Sequence, residues 1–425
     1  MIKKVVNEWT QEQWLTSWAQ AVELVVTQPL VNILRGAMSV LVAIVSHPLS
    51  REASTVGSYG FRALKPAIAV HPTFLEMLVA RLSSADHALC ANALQLINAL
   101  MRDSLLNDAD HAWPKFIKRL QDLGVIKSVH QLMQGSAWQD LAVPLLEFQY
   151  LTKVLLRKWR DVKADGEKPE HRRALKGLQL ASRPSSSRDK DTAGEGSSIS
   201  GASSSNTAKE KEKEKEKDKD KDKDKLNVHP EKWRRLGFET ENPVWEFEET
   251  GFLGFMDLTD FVRKNEDGYQ NLLLEQSNKP AEHRCPIARA SLAVTLILYE
   301  HFEIDKAVSE DFHTSLQMET RANYEKAFKP LLLQWSRLHT AGLNAFVRLW
   351  KDTGAEIDDI GKVEELVRIL VEQVVGSAGR LKNISEVEHE MQDFSCADLR
   401  RLQMELVELT YEDAWGHHLR YVSLL

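Results

Sequence analysis

Cysteine is scarce in this chain: Cys90, Cys285 and Cys396 are the only three in 425 residues, and no two have a paired spacing. That excludes a disulfide framework and a cysteine-built zinc site, and it fits free thiols in a reducing compartment. Long apolar runs are missing too. The longest, Ala37 to Val45, is far short of the roughly 20 residues a membrane-spanning helix needs. The opening M-I-K-K-V-V-N-E-W has no apolar secretion core. Basic excess is absent, since the formal net charge is −7. A general nucleic-acid binder would show a basic domain or stripe. The thirteen prolines contain no P-x-x-P pair, which removes a polyproline ligand for an SH3 groove. These absences together predict a cytoplasmic protein with no transmembrane segment and no nucleic-acid partner.

Enzyme motifs are missing as well. There is no G-x-x-x-x-G-K-[ST] loop to cradle a phosphate and no G-x-S-x-G elbow to present a serine. Gly376-Ser377-Ala378-Gly379-Arg380 follows an amphipathic pattern, not a strand, and reads as a glycine helix stop. His389-Glu390 lacks a second histidine four residues on, and His283 with Cys285 supplies only two of four metal ligands. His417-His418 reads as a solvated helix end, and Glu246, Glu248 and Glu249 as a solvated acidic face. The expectation is a non-enzyme with no cofactor and no metal.

What is present is apolar content of 43% and charge of 28%, enough for two or three cored domains. Residues 1–180 are helix-patterned almost throughout. Leu24, Pro29, Leu30, Ile33 and Leu34 lead into M-S-V-L-V-A-I-V, which stops at His47-Pro48; F-R-A-L-K-P-A-I-A-V stops at His71-Pro72. A third pattern starts at Thr73, and a fourth, C-A-N-A-L-Q-L-I-N-A-L-M, follows the capping stretch Ser83 to Asp86. Short helices apolar on several sides predict an armadillo or HEAT-like stack. Residues 181–229 turn Ser- and Gly-rich, then alternate nine lysines with eight acids from Lys209 to Lys225. Like charges at i,i+4 undercut helix there, and the stretch reads as a disordered, solvated linker.

Residues 230–395 return to helical periodicity, with Ala288 to Phe302 as the central helix and further helices at Tyr324–Leu349 and Lys362–Val375. A C-terminal amphipathic helix falls in 396–425, where Leu399, Leu402, Leu406 and Leu409 recur at 3-4-3 spacing. That seam either packs on its own domain or faces a partner. No run alternates like a strand, so the fold class is all-α.

The densest segment is W-R-R-L-G-F-E-T-E-N-P-V-W-E-F-E-E-T-G-F-L-G-F-M-D-L-T-D-F, Trp233 to Phe261. Gly237, Pro243, Gly251 and Gly254 fix backbone geometry among aromatic anchors, which predicts an irregular, tightly packed approach to a helical domain. It resembles the start of the ELMO (engulfment and cell motility) domain in Trp233, Gly237-Phe238, Pro243, the acidic-Phe pair Glu246-Phe247, and Gly251 with Leu253-Gly254. Cys285-Pro286 and Arg289 look like the Cys-Pro-x-x-Arg that opens the family's main helix, and Asp311-Phe312-His313 resembles a family turn. In the first zone, Y-G-F-R-A-L-K-P-A-I-A-V and R-L-S-S-A-D-H-A-L-C look like the family's armadillo-type region.

The resemblance implies a non-catalytic scaffold that acts with a DOCK-type guanine nucleotide exchange factor and Crk-type adaptors. Such a scaffold promotes activation of the small GTPase Rac, cytoskeletal rearrangement, motility and phagocytosis of apoptotic cells. It implies that the helix after the ELMO domain contributes to DOCK binding. A related branch stimulates GTP hydrolysis by Arf-type GTPases through an arginine directly after the acidic-Phe pair. This chain has Glu248 there, and a carboxylate would repel the charge that such an arginine neutralises. A further alternative is a shortened, inactive product, because the family's Ras-binding-like and pleckstrin-homology domains and proline-rich tail are not evident.

Overall fold

The computed structural model describes residues 11–46, 60–107, 112–181, 230–309 and 327–422. The Lys–acid run, the linker reading of 182–229 and the Asp311-Phe312-His313 turn lie outside them. Every regular element among the described residues is a helix and none is a strand, so the chain is all-α.

Contacts divide the chain into two units. The first comprises Met1–Arg157, Glu303–Trp335 and Ala378–Lys382. Its helices follow the punctuation of the sequence. Pro29 lies in the break between Gln11–Thr27 and Val31–Val45, and the latter buries Leu34, Ala37, Met38, Leu41, Ile44 and Val45 along one face. Phe61–Val70 ends at His71-Pro72, and Phe74–Ala80 begins just after Thr73. Asp86 caps His87–Leu106, its Oδ1 accepting from the Leu89 N–H at 2.7 Å; a cap of this kind contributes about 1 kcal/mol. Trp113–Asp122 and Val125–Gln134 are joined through Gly124 at φ +81°. Helices pack on near neighbours, Val31–Val45 against Gln11–Thr27 and His87–Leu106, as in a helical-repeat stack. Distant segments are tied by polar side chains. Gln149 donates to the Ala327 carbonyl (3.0 Å) and accepts from the Lys329 N–H (2.7 Å), while Arg380 donates to the Met133 carbonyl and covers the Trp138 ring.

The second unit comprises Lys158–Phe302, Ser336–Ser377 and Asn383–Leu425. Ile287–His301 is its central helix, as its apolar sequence predicts, packed against Gly251–Lys264 and Ile360–Val371. Close approach is visible at Gly342, where an added Cβ would meet Val294 Cγ1 at 2.7 Å. Cys396–Val422 packs in turn on Ile360–Val371.

Three sequence expectations shift in detail. The irregular approach ends at Thr250, and Gly251–Lys264 is a regular α-helix, because its glycines serve close packing and do not break it. Of the helix expected over Tyr324–Leu349, residues 324–326 lie outside the described residues; the described part holds a 3-10 turn at Pro330–Gln334 followed by Trp335–Thr353, with Pro330 in the first turn, where its missing N–H costs nothing. The helix expected over Lys362–Val375 is α-helical as Ile360–Val371 and then widens to a π turn, Glu372–Gly376. Among the described residues no single helix is long and apolar enough to cross a membrane.

Candidate functional site

The second unit is organised around the segment that starts at Trp233. The short helix Pro230–Arg235 closes with the Phe238 N–H on the Trp233 carbonyl (3.1 Å) and the Gly237 N–H on the Arg234 carbonyl (3.0 Å). That is a Schellman ending, and Gly237 at φ +91° supplies its left-handed residue. A side chain at Gly237 is impossible for a second reason: its Cβ would sit 2.3 Å from the Ile287 nitrogen. The turn lies directly on the start of the central helix. Its carbonyls at Leu236 and Gly237 accept from the Ala288 and Arg289 N–H groups at 3.1 and 3.4 Å, so this loop caps that helix.

Cys285, Pro286 and Arg289 fit the same junction. The Cys285 N–H donates to Gln276 Oε1 (2.9 Å), Pro286 is the N-cap residue, and Arg289 pairs with Glu239 at 3.0 Å. Burial pushes the Cys285 thiol up to about 12. It therefore stays protonated near neutrality, which leaves it a poor nucleophile.

Downstream, Asn242 caps the 3-10 turn Pro243–Phe247 by accepting from the Val244 N–H at 3.1 Å. Glu246 Oε1 accepts from the Glu239 N–H, the Thr240 N–H and Thr240 Oγ1 at 2.7, 2.7 and 2.9 Å, which knots the loop. Phe247 enters an edge-to-face aromatic chain running from Trp233 through Phe238 and Phe247 to Phe255, with centroid separations of 5.7, 5.9 and 5.2 Å. Gly251, at φ +56°, lets the chain pass Arg160, whose carbonyl oxygen would lie 1.7 Å from an added Cβ. Leu253 is buried, and Gly254 lies against Leu292 of the central helix. The sequence-selected residues from Trp233 to Gly254, with Cys285, Pro286 and Arg289, thus meet in one packed junction.

Glu248 is exposed at the end of the 3-10 turn, while Glu249 uses its carbonyl to accept from Arg160 Nε at 2.8 Å. Among the described residues no three His, Cys, Asp or Glu side chains form a group that could hold a metal ion. One polar network was not read from the sequence. Ser291 Oγ lies 3.1 Å from His339 Nε2, and Thr295 donates to Asp257 at 2.9 Å. Its only sequence signal is the placing of Ser291 and Thr295 one turn apart in an apolar helix. All four side chains are buried, so no substrate reaches them, and the network ties helices together.

The final helix behaves differently. Leu399 is fully buried and Leu402 half-buried, but Leu406 and Leu409 are 50% and 59% exposed. Met404 and Val407, which the 3-4-3 spacing does not include, are also exposed, on the other side of the helix. Only the first turns of the seam pack on the second unit.

Residues 154–364 match the ELMO/CED-12 family model. The chain carries an ELMO/CED-12 domain. It is 24% identical over 301 residues to mouse engulfment and cell motility protein 3, covering 69% of this chain and 36% of that protein. Against human engulfment and cell motility protein 1 it is 24% identical over 184 residues, covering 42% of this chain and 23% of the relative. Against bovine engulfment and cell motility protein 2 the figures are 23% over 182 residues, 41% and 23%. The chain thus spans about a third or less of the length of these curated relatives. The junction between Gly237 and Arg289 lies wholly inside the stretch matched to ELMO/CED-12.

Proposed function

We propose that this chain is a non-catalytic scaffold of ELMO type, acting in the cytoplasm with a DOCK-type guanine nucleotide exchange factor to promote Rac activation. The observation that carries the reading is the exposure of Leu406 and Leu409, two leucines on one side of the final helix, downstream of the stretch matched to ELMO/CED-12. Exposed apolar side chains clustered on one element mark a surface that a partner covers. The names of the relatives, engulfment and cell motility, extend the proposal to phagocytosis and movement, and the family resemblance extends it to cytoskeletal rearrangement with Crk-type adaptors. With no P-x-x-P in the chain, the helix and not a polyproline strand would engage a DOCK fragment containing the SH3 domain.

The test is capture of that fragment by the full chain and by a Leu406→Asp/Leu409→Asp variant. Loss of capture by the variant is expected, and capture at wild-type level removes the helix from the interface.

A second reading, stimulation of GTP hydrolysis by an Arf-type GTPase, is disfavoured because the residue after Phe247 is the exposed carboxylate Glu248. Arf GTP hydrolysis is expected to run at its intrinsic rate with the chain present, and a clear acceleration would reinstate the enzyme reading.

A further inference from the structure

Within the second unit, beside the Gly237–Pro286 junction, opens a recess of about 870 Å³. Among the described residues Arg234, Arg235, Arg284 and Arg289 line it, against the acids Glu239 and Asp358. Arg284 is held in place by the carbonyls of Lys279 (2.9 Å) and Ser277 (3.3 Å). Arg289 already holds a carboxylate, that of Glu239, at 3.0 Å. Arg234 and Arg235 are exposed, and neither forms an ion pair among the described residues.

A second observation is independent of charge. Gln276 also lines the recess and is only 4% exposed. Its Oε1 is engaged by the Cys285 N–H, while its Nε2 has no acceptor. A buried donor without a partner is costly and calls for an explanation. The nearby N-terminus of the central helix does not account for anion affinity, because its Ala288 and Arg289 N–H groups are taken by the turn. Recognition has to come from side chains.

We propose that this recess binds an acidic peptide segment of another protein, with carboxylates on the arginines and an adjacent apolar side chain against Ile357 and Pro286. Carboxylates fit better than phosphate, because Glu239 and Asp358 in the lining would repel a dianion more strongly than a single negative charge. The Glu239 contact with Arg289 is the internal example of the pairing a ligand carboxylate would make. The inference does not rest on the exchange-factor reading, since among the described residues none of the final helix lines the recess.

The experiment is fluorescence anisotropy on the full chain with a labelled Asp-Glu-Phe-Asp-Glu peptide, at low and at physiological salt. Its lysine counterpart, inorganic phosphate and vesicles containing phosphatidylinositol bisphosphate serve as the other probes. Saturable, salt-sensitive binding of the acidic peptide alone is expected, weakened ~10-fold or more by Arg234→Glu/Arg235→Glu. Both side chains are exposed, so the thermal midpoint should hold; if it falls, Arg234→Gln/Arg235→Gln replaces the variant and should still weaken binding. No binding of the acidic peptide, or equal binding by the variants, overturns the proposal. Displacement by phosphate at the peptide's own concentration, or capture of the chain by vesicles and not by peptide, assigns the recess to another ligand and overturns it too.

Discussion

The segment Trp233–Thr250 and the helix Cys396–Val422 belong to the same unit, and both are rich in large apolar side chains. The first buries Trp233, Leu236, Phe238 and Phe247 and leaves only Trp245 largely in solvent. It is fixed at both ends by glycines with positive φ, Gly237 and Gly251, and knotted by Glu246. The second is anchored by Leu399 and then carries Met404, Leu406, Val407 and Leu409 in the open. The difference teaches that apolar content alone says nothing about role. Where backbone, aromatic packing and polar staples all fix one geometry, the residues hold the domain. Where a regular helix presents exposed apolar side chains, the residues form the docking surface proposed above.

The comparison breaks most sharply at Gly251. Alanine there would place Cβ 1.7 Å from the Arg160 carbonyl oxygen at a φ of +56°, combining overlap with backbone strain. A loss of about 3 kcal/mol or more is expected, read as a lower midpoint in urea or as failure to accumulate folded chain. A stable Gly251→Ala would mean that the segment is looser than its packing implies. Next come the two tryptophans. Trp233→Ala should cost about 3–5 kcal/mol, because Trp233 is wholly buried in the aromatic chain. Trp245→Ala, at 66% exposure, should stay within about 0.5 kcal/mol. Equal losses for the two would erase the division between anchor and surface.

Much of the fold was legible before any coordinates. His71-Pro72 stops one helix, Asp86 starts another, and the apolar run from Ala288 to Phe302 fills the centre of the second unit. Each is a local signal carried by backbone chemistry or by periodicity. Less legible was everything that depends on residues distant in sequence. Gly237 could be read as a turn, but its contact with Ile287 could not, because only the fold brings the two together. Glu246 looked like a solvated acid, and its three loop hydrogen bonds exist only once residues 239–246 close on themselves. Ser291 and His339 lie 48 residues apart, with no spacing to announce them. The leucine seam was readable as periodicity, but where burial ends along it was not, since that depends on how far Ile360–Val371 covers the helix.

The final helix can be tested along its own length. Leu399→Ala removes a fully buried side chain and should cost about 2–4 kcal/mol. Leu409→Ala, two to three turns further on and 59% exposed, should cost about 0.5 kcal/mol or less. A gradient of this kind places the anchor at the first turns and leaves the rest of the face for a partner. Similar losses at both ends would mean that the whole helix packs on its own unit, and the proposed docking face would be gone.

The smallest effect concerns Glu364, on the helix that supports the final one and within electrostatic reach of Glu249 at the end of the Trp233–Thr250 segment. Burial raises its carboxyl above the ordinary range; Arg368 pulls the other way, while Glu300, Glu365 and Glu249 add to the rise. A carboxyl raised in the folded state binds its proton more tightly there than in the unfolded chain. It therefore favours folding below the unfolded value, and that contribution is lost as pH climbs through the raised one. At neutral pH the charged Glu364 is a net cost. Glu364→Gln should raise the thermal midpoint there by about 1–2 °C, and the gain should vanish near pH ~4, where the wild-type carboxyl is protonated in the fold. A lower midpoint at neutral pH would mean that the pairing with Arg368 outweighs burial and the neighbouring acids, so that this supporting helix is braced by charge and not only by its apolar face.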